Sequence, residues 1–459
     1  MKVIILGAGK VGTSIAQYLA AEENDITIVD QSAEILKKMS DNVDVQPIQG
    51  FASHPDVLEK AGAADADLLV AVTSSDEVNL VACEVANSLF PIKTKIARLR
   101  QQNYLNPLWR ETLFMPHNLA IDIIISPEVA VAKAIARCVK VPGAFEVLSL
   151  MDDHVKIIGI RCTKPANALN TPLRLLPSIL PKLNLVVVYI NRDNHGFIPT
   201  EEDEIKQGDE VYFAIPPSQL AAAMDAFGIQ DHEGRRLLIL GGGNIGLKLA
   251  SEIETLLPGI ACKLIERNPE RAELLARMLN KTEVLCGDAL DMEVLIEANV
   301  QDSEIVVAVT QDDKVNVLSS LLVKREGAHR TMTLLNNMAY APLVTSLGID
   351  AVINPQTVTV STILQHIRQG HIRSVYSICN GDVEIIEGKA RETSHIIGLS
   401  VDDLHIPNAV RVIALIREGQ VFIDPIKHLL HSDDRLVLAV AKSAIKKIEN
   451  LFTIRPTYL

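Results

Sequence analysis

The stretch Val3-Ile4-Ile5-Leu6-Gly7-Ala8-Gly9-Lys10-Val11-Gly12 decides the fold, because it recurs 234 positions on as Leu237-Leu238-Ile239-Leu240-Gly241-Gly242-Gly243-Asn244-Ile245-Gly246. In each copy a short apolar run meets a G-x-G-x-x-G turn, and a segment with helical apolar spacing follows. The next apolar run closes on an acid, Asp30 in the first copy and Glu266 in the second. A lone glycine fingerprint carries little weight. Strand, glycine turn, helix, strand and acid in that order, found twice, mark two dinucleotide-type units in one polypeptide.

The repeat continues outward from the glycines. Thr73, Asp76 and Asn79 return as Thr310, Asp313 and Asn316, and Gln49-Gly50-Phe51-Ala52 answers to Cys286-Gly287-Asp288-Ala289. Similarity at a fixed offset is internal duplication. In the first copy, apolar runs at 2–6, 26–29, 43–48, 68–72 and 94–99 predict strands. They are apolar without alternation, as parallel strands covered on both faces are. Between them, Val11, Ile15, Tyr18 and Leu19 predict one helix stripe, and Ile245, Leu249, Ile253 and Leu256 its counterpart. A second segment type follows each copy. Ser126-Pro127-Glu128 and Asn354-Pro355-Gln356 each open a helix with proline in its first turn. Short strands are predicted after them at 145–150, 155–160, 185–190 and 210–214, and at 375–378, 383–387, 410–416 and 435–440. The fold class expected is α/β, with two doubly wound Rossmann-like parallel sheets, each followed by a small α+β module. The expected boundaries are 1–124, 143–227, 232–350 and 368–453, with 228–234 as a linker.

Composition bounds the function. With 48% hydrophobic and 22% charged residues, 459 residues suffice for two to four packed units. No apolar stretch reaches the roughly 18 residues of a membrane span, and Met1 leads straight into the first strand with no room for a signal peptide. A cytosolic location is expected. The net charge of −13 argues against a nucleic-acid groove, which needs clustered Lys and Arg. The six cysteines show no C-x-x-C pairing and read as reduced core thiols. The twelve histidines, among them His54, His117, His154 and His195, form no H-E-x-x-H or Cys/His box, so no metal is expected.

The chemistry concentrates at the glycine turns. Gly7 permits the tight turn, Gly9 lets a pyrophosphate approach the backbone, and Gly12 allows close helix–sheet packing, with Ala8, Lys10 and Val11 completing the cradle. The helix start offers free N–H groups and partial positive charge. The Asp30 carboxylate suits a ribose diol and repels a 2′-phosphate, which favours NAD over NADP. In the second copy Gly241, Gly242, Gly243, Asn244, Ile245 and Gly246 form the cradle and Glu266 is the acid. Glycines kept only for packing, around an empty site, are the alternative in both copies, and weigh more in the second, because duplicated domains often lose one site and Gly242 departs from Ala8. Arg98 and Arg100, at the end of the fifth predicted strand, are expected to hold phosphate oxygens; a solvated charge pair is the alternative. The stretch 330–337 of the second copy lacks such a pair, so the two sites are expected to differ in affinity or ligand. Thr73 and Ser74, with Thr310 and Gln311, either line the clefts or cap the next helices. Asp288 contacts adenosine or caps a helix, and its counterpart Phe51 cannot accept a hydrogen bond.

With the doubled fingerprint, the Thr-x-x-Asp-x-x-Asn segments and Ala97-Arg98-Leu99-Arg100 in place, the chain resembles the TrkA family over essentially its whole length. The resemblance implies tandem regulator-of-potassium-conductance units, each with an NAD-binding part and a smaller C-terminal part. It further implies homotetramers that build a gating ring against a TrkH- or TrkG-type potassium pore, peripheral on the cytoplasmic face of the inner membrane. NAD, NADH, ATP or ADP would occupy the clefts. The expected role is a ligand-sensing gate without catalysis. The alternative, an NAD-dependent oxidoreductase, needs an acid or base beside the nicotinamide, and no motif supplies one. A metabolite-binding transcription factor is disfavoured by the acidic balance.

Overall fold

The computed structural model describes residues 1–20, 24–115, 118–163, 165–193, 195–229, 236–367, 372–378 and 382–452. Most of the expected linker, together with His117 and Cys379, lies outside the described residues. The first half runs β1 (Lys2–Leu6), α1 (Lys10–Ala20), β2 (Asp25–Asp30), α2 (Ala33–Ser40), β3 (Gln46–Gln49), α3 (Pro55–Lys60), β4 (Leu68–Ala71), α4 (Asp76–Leu89), β5 (Thr94–Arg98), α5 (Pro107–Leu113), β6 (Ile123–Ile125) and α6 (Pro127–Lys140). A small module follows: β7 (Ala144–Leu150), β8 (Val155–Arg161), α7 (Leu176–Ile179), β9 (Val186–Arg192), β10 (His195–Phe197), β11 (Glu210–Ile215) and α8 (Leu220–Ala226). The second half repeats the plan with β12 (Arg236–Leu240), α9 (Asn244–Leu256), β13 (Ala261–Glu266), α10 (Pro269–Met278), β14 (Glu283–Cys286), α11 (Met292–Glu297), β15 (Ile305–Ala308), α12 (Asp313–Arg325), β16 (Arg330–Leu334), α13 (Ala341–Ser346), β17 (Ala351–Ile353) and α14 (Pro355–Ile367). Its module holds β18 (Ile372–Ile378), β19 (Val383–Lys389), β20 (Val410–Arg417), β21 (Gln420–Ile423), β22 (Arg435–Ala441) and α15 (Ile445–Phe452).

The two large sheets are parallel, in the orders β3-β2-β1-β4-β5-β6 and β14-β13-β12-β15-β16-β17. Reversal of the strand order beside β1 and β12 opens a crevice at the carboxyl ends of the strands, where ligands bind in such sheets. Both faces of the first sheet are buried. Val3 and Ile5 enter one core, Ile4 and Leu6 the other. The small modules are antiparallel and share one topology, β7-β8-β11-β9-β10 and β18-β19-β22-β20-β21.

Three expectations change. Strand β3 begins at Gln46 rather than residue 43, because the amides of Asn42 and Val43 bond back to the Met39 carbonyl and finish α2 instead of pairing. The predicted pattern missed β6, β10, β17 and β21, strands of three or four residues added at the sheet edges. Leu256 is 60% exposed, although it continues the stripe of Leu249 and Ile253. It is the last residue of a 13-residue helix packed against five-residue strands, so the final turn overhangs the sheet.

The chain divides into two compact units, residues 1–131 with 355–367, and residues 132–354 with 368–459. In the first unit α14, a helix of the second copy, completes the core of the first sheet. Ile363, Leu364 and Ile367 pack in one cluster with Ile15 and Leu19 of α1. Gln356 at its start donates to the Lys10 carbonyl at 3.2 Å and to the Ser14 Oγ at 2.5 Å. In the second unit the reverse exchange occurs. Buried Arg330, at the start of β16, donates to the carbonyls of Cys138, Val141 and Ala144, at the end of α6 and the turn beyond it. Those carbonyls carry the partial negative charge of a helix C-terminus, so a guanidinium satisfies them.

Each module is pinned by the same buried ion pair. Arg192 and Asp209 meet at 2.7 Å in the first, and Arg417 and Asp434 meet at 2.7 Å in the second. Both aspartates are 1% exposed and also accept backbone amides, from Lys206 and from His431.

Candidate functional site

The two glycine turns have the same geometry. Gly7 and Gly241 adopt φ of 103° and 109°, which other residues rarely adopt. A Cβ at Gly12 would lie 1.9 Å from the Gly7 carbonyl oxygen, and one at Gly246 2.0 Å from that of Gly241. Helix and turn therefore touch backbone to backbone. A Cβ at Gly9 or Gly243 would meet nothing within 4 Å. The middle glycine of each cradle thus borders open space, on the side where the first helical amides emerge. Gly243 is the N-cap of α9 and supplies no side-chain cap to those amides. Lys10 and Val11 begin α1 in the same way that Asn244 and Ile245 begin α9. This arrangement fits a pyrophosphate.

The acids sit at the ends of β2 and β13 and hold the turns. Asp30 accepts the Ala8 amide at 2.7 Å and the Ser32 amide at 2.9 Å. Glu266 accepts the Gly242 and Asn268 amides, both at 2.8 Å. Each carboxylate keeps acceptor positions for a diol. The departure of Gly242 from Ala8 has a steric cause. A Cβ at Gly242 would lie 2.9 Å from Glu266 Oε2, 3.0 Å from Glu266 Cβ and 2.3 Å from Leu275 Cδ1. Leu275, which comes nearest, and the Glu266 side chain, one methylene longer than aspartate, together occupy the volume of the missing methyl. Gly242→Ala is expected to cost about 1–3 kcal/mol by overpacking, and Glu266→Asp to restore part of that. Urea unfolding of the two single variants and the double variant tests this. A coupling above about 0.5 kcal/mol is expected, and strictly additive effects would refute the steric account.

The Thr-x-x-Asp-x-x-Asn motif builds the cleft floor. Asn79, fully buried, accepts from the Thr73 amide (2.9 Å) and hydroxyl (2.7 Å) and donates to the Arg98 carbonyl at 2.9 Å. Asn316 repeats this with the Thr310 amide (2.8 Å), the Thr310 hydroxyl (2.6 Å) and the Leu334 carbonyl (3.1 Å). One side chain thereby ties the ends of β4 and β5, or of β15 and β16. Asp76 accepts the amides of Arg100 and Gln101, and Asp313 those of Asn336 and Asn337. The sequence pattern marked these residues as repeated without revealing this role. Helix capping goes elsewhere, to Ser75 for α4 and Asp312 for α12. Thr73 and Thr310 are partly buried at the strand ends, while Ser74 and Gln311 are exposed beside them.

Arg98 closes β5, and its Nη2 donates to the Thr73 carbonyl at 2.8 Å. Its Nε is buried without a partner among the described residues. Burial, and then the adjacent charge of Arg100, press its guanidinium below the usual arginine range. Arg100 lies beyond the strand, so strand alternation does not orient it; its Nε sits 3.3 Å from Glu128 Oε1. In the second copy the corresponding residues are Leu334 and Asn336. Asp288 bonds the Leu290 amide at 2.9 Å and lies 3.8 Å from the Arg267 guanidinium, while Asp291 caps α11.

The cysteines differ from expectation at one position. Burial pushes the thiols of Cys83, Cys162 and Cys262 up to about 12 and that of Cys138 up to about 11. Cys286 is exposed, as the last residue of β14 and the register partner of Glu266. In a Cys379→Ser chain at about pH 8, a thiol reagent is expected to modify Cys286 alone. NADH should slow that reaction, and an unchanged rate would place the ligand elsewhere.

Residues 3–127 and 237–355 match the TrkA-N domain family, and residues 386–453 match the TrkA-C domain family. The chain is 42% identical over 454 residues to the Trk system potassium uptake protein TrkA of Azorhizobium caulinodans, covering 99% of both chains. The chain belongs to the TrkA family. It is 38% identical to the Halomonas elongata protein of the same name, across 100% of each. Among solved structures, the GsuK RCK domain aligns with a TM-score of 0.60 at 16% identity, over 98% of this chain and 94% of that one, a likeness of fold.

Proposed function

We propose that this chain is the nucleotide-sensing regulatory subunit of a Trk-type potassium uptake system. It takes NAD or NADH, with ATP and ADP as competing occupants, into the clefts at Gly7–Gly12 with Asp30 and at Gly241–Gly246 with Glu266. Residues 1–124 and 232–350 are the sensing parts, and 143–227 and 368–453 the smaller modules. The observation that carries the reading is the preservation of both cradles: open space at Gly9 and Gly243, uncapped helix starts, and an acid at each neighbouring strand end. The curated relatives are named for potassium uptake, which supplies the process.

No helix among the described residues is long and apolar enough to cross a membrane. The pore is therefore assigned to a partner of TrkH or TrkG type, with the chain peripheral on the cytoplasmic face as a homotetrameric ring. A nucleotide at the cradle shifts such a ring only by its differential affinity for two ring shapes. A hundredfold preference is worth about 2.7 kcal/mol, and several sites per ring multiply it. The Thr73–Asn79 tie and Gln356 on the Lys10 carbonyl join the turn region to β5 and to α14, and are contacts through which occupancy can be passed on. The chain acts as a signal reader and not as a catalyst.

The test is potassium uptake through a Trk pore with this chain supplied, under NADH or ATP. The nucleotide response is expected to vanish in the Gly9→Val/Gly243→Val chain. Uptake indifferent to the chain, or NADH turnover with carbonyl substrates at ordinary enzyme rates, would overturn the reading, the latter in favour of an oxidoreductase.

A further inference from the structure

The two clefts carry their positive charge at opposite ends. In the first, Lys10 starts α1 at the phosphate cradle, Arg98 closes β5, and Arg100 follows two residues beyond it. In the second these positions are Asn244, Leu334 and Asn336, all uncharged. Beyond the acid the order inverts. The caps of α2 and α10 fix the correspondence, since Ser32 accepts the Ile35 amide and Asn268 accepts the Arg271 amide. Gln31 and Ile35 of the first copy therefore answer to Arg267 and Arg271 of the second. Arg271 Nε donates to the Gly242 carbonyl at 3.0 Å, so its guanidinium is held against the turn beside Glu266. Among the described residues its Nη groups have no hydrogen-bond partner. It lines an open groove with Asn268, Glu270, Glu273, Leu274 and Arg277. Arg267 is largely exposed next to Glu266.

We propose that the second cleft recognises the nucleoside end of an adenine nucleotide through Arg271, assisted by Arg267, and gains less from each added phosphate than the first cleft, where Lys10, Arg98 and Arg100 add charge to the helix-start seat that both clefts share. This rests on the nucleotide-sensing reading above. In this fold the acid takes the ribose, so groups on the helix just past it face the nucleoside side of the cleft. A planar guanidinium there offers a stacking face to a base and donors to ribose oxygens. It adds nothing that scales with a β- or γ-phosphate. Cations at the cradle and at and beyond the end of β5 do scale with it, because each phosphate adds charge for them to meet. The chain would then report chiefly total adenine nucleotide at one cleft and its phosphorylation state at the other.

Calorimetric titration of the full chain with AMP, ADP and ATP tests this, one cleft blocked at a time. With Gly9→Val blocking the first, affinity at the second is expected to rise only about threefold from AMP to ATP. Adding Arg271→Ala should weaken all three alike, by about tenfold, and Arg271→Lys, which keeps charge without the planar face, should not restore them. With Gly243→Val blocking the second, affinity should rise at least about tenfold from AMP to ATP, and Arg98→Ala should flatten that rise. A phosphate dependence in the Gly9→Val chain as steep as that of the first cleft, or AMP affinity there unmoved by Arg271→Ala, would overturn the proposal alone. Absence of binding by the unsubstituted chain would overturn it together with the reading beneath it. Thermal unfolding of each variant separates lost recognition from lost fold.

Discussion

Gly9→Val is expected to remove nucleotide binding at the first cleft with little loss of stability, while Gly12→Ala, three residues on and a smaller change, should damage the fold itself. The contrast follows from what each new atom meets. At Gly9 there is only open space, and its φ lies outside the left-handed region. The Cβ of a valine there meets no atom, and its side chain fills the volume that a pyrophosphate needs, at the modest cost of a poorer helix cap. At Gly12 the new methyl would sit 1.9 Å from the Gly7 carbonyl oxygen, a backbone atom held by the turn. Only separation of α1 from the turn relieves that contact. The cost is about 3 kcal/mol, the upper part of the overpacking range. Titration with NADH should show stoichiometry falling from two sites to one in Gly9→Val, with a melting midpoint lowered far less than in Gly12→Ala. A Gly9→Val chain that still binds two equivalents would dispose of the cradle as the phosphate seat.

The second large effect lies far from the clefts. Arg417→Ala is expected to cost about 3–5 kcal/mol and Asp434→Ala clearly less, although both break one ion pair. The asymmetry arises from burial. Asp434 is 1% exposed, and its side chain has only the Arg417 guanidinium and the His431 amide as partners among the described residues. Without Arg417 a carboxylate stays in the core nearly unpaired. The Arg417 side chain is 25% exposed and also donates to the Leu429 carbonyl, so without Asp434 it can turn to water. Arg192 and Asp209 predict the same order in the first module. Chemical denaturation of the four variants measures it, and equal or reversed costs would refute the burial argument.

The sheets were legible because their signals are local. A glycine turn between apolar runs announces strand, turn and helix within a dozen residues, and the repeat makes each half a check on the other. Strands of three residues such as β6 carry no periodicity to detect. The cleft floor was half legible: Thr73, Asp76 and Asn79 stood out as a repeated triplet, but Asn79 reaches the Arg98 carbonyl across to the next strand, a pairing no local spacing encodes. The Arg192–Asp209 and Arg417–Asp434 pins were invisible for the same reason. Gly242 looked like decay of the second site, and Leu275 and Glu266 beside it supply a steric cause instead. The helix opened by Pro355 could be read from its proline; its seat against Ile15 and Leu19, more than 300 positions away, could not.

That seat bears on how the gene can change. Because Ile363, Leu364 and Ile367 cover α1, cleavage near residue 230 leaves the N-terminal fragment with a bare apolar stripe and the other fragment with an orphaned helix. Each half expressed alone is expected to expose apolar surface that the whole chain buries, and to aggregate more readily. The fused copies are therefore locked together by descent, and drift at one ligand site is carried along inside a scaffold that selection must keep whole.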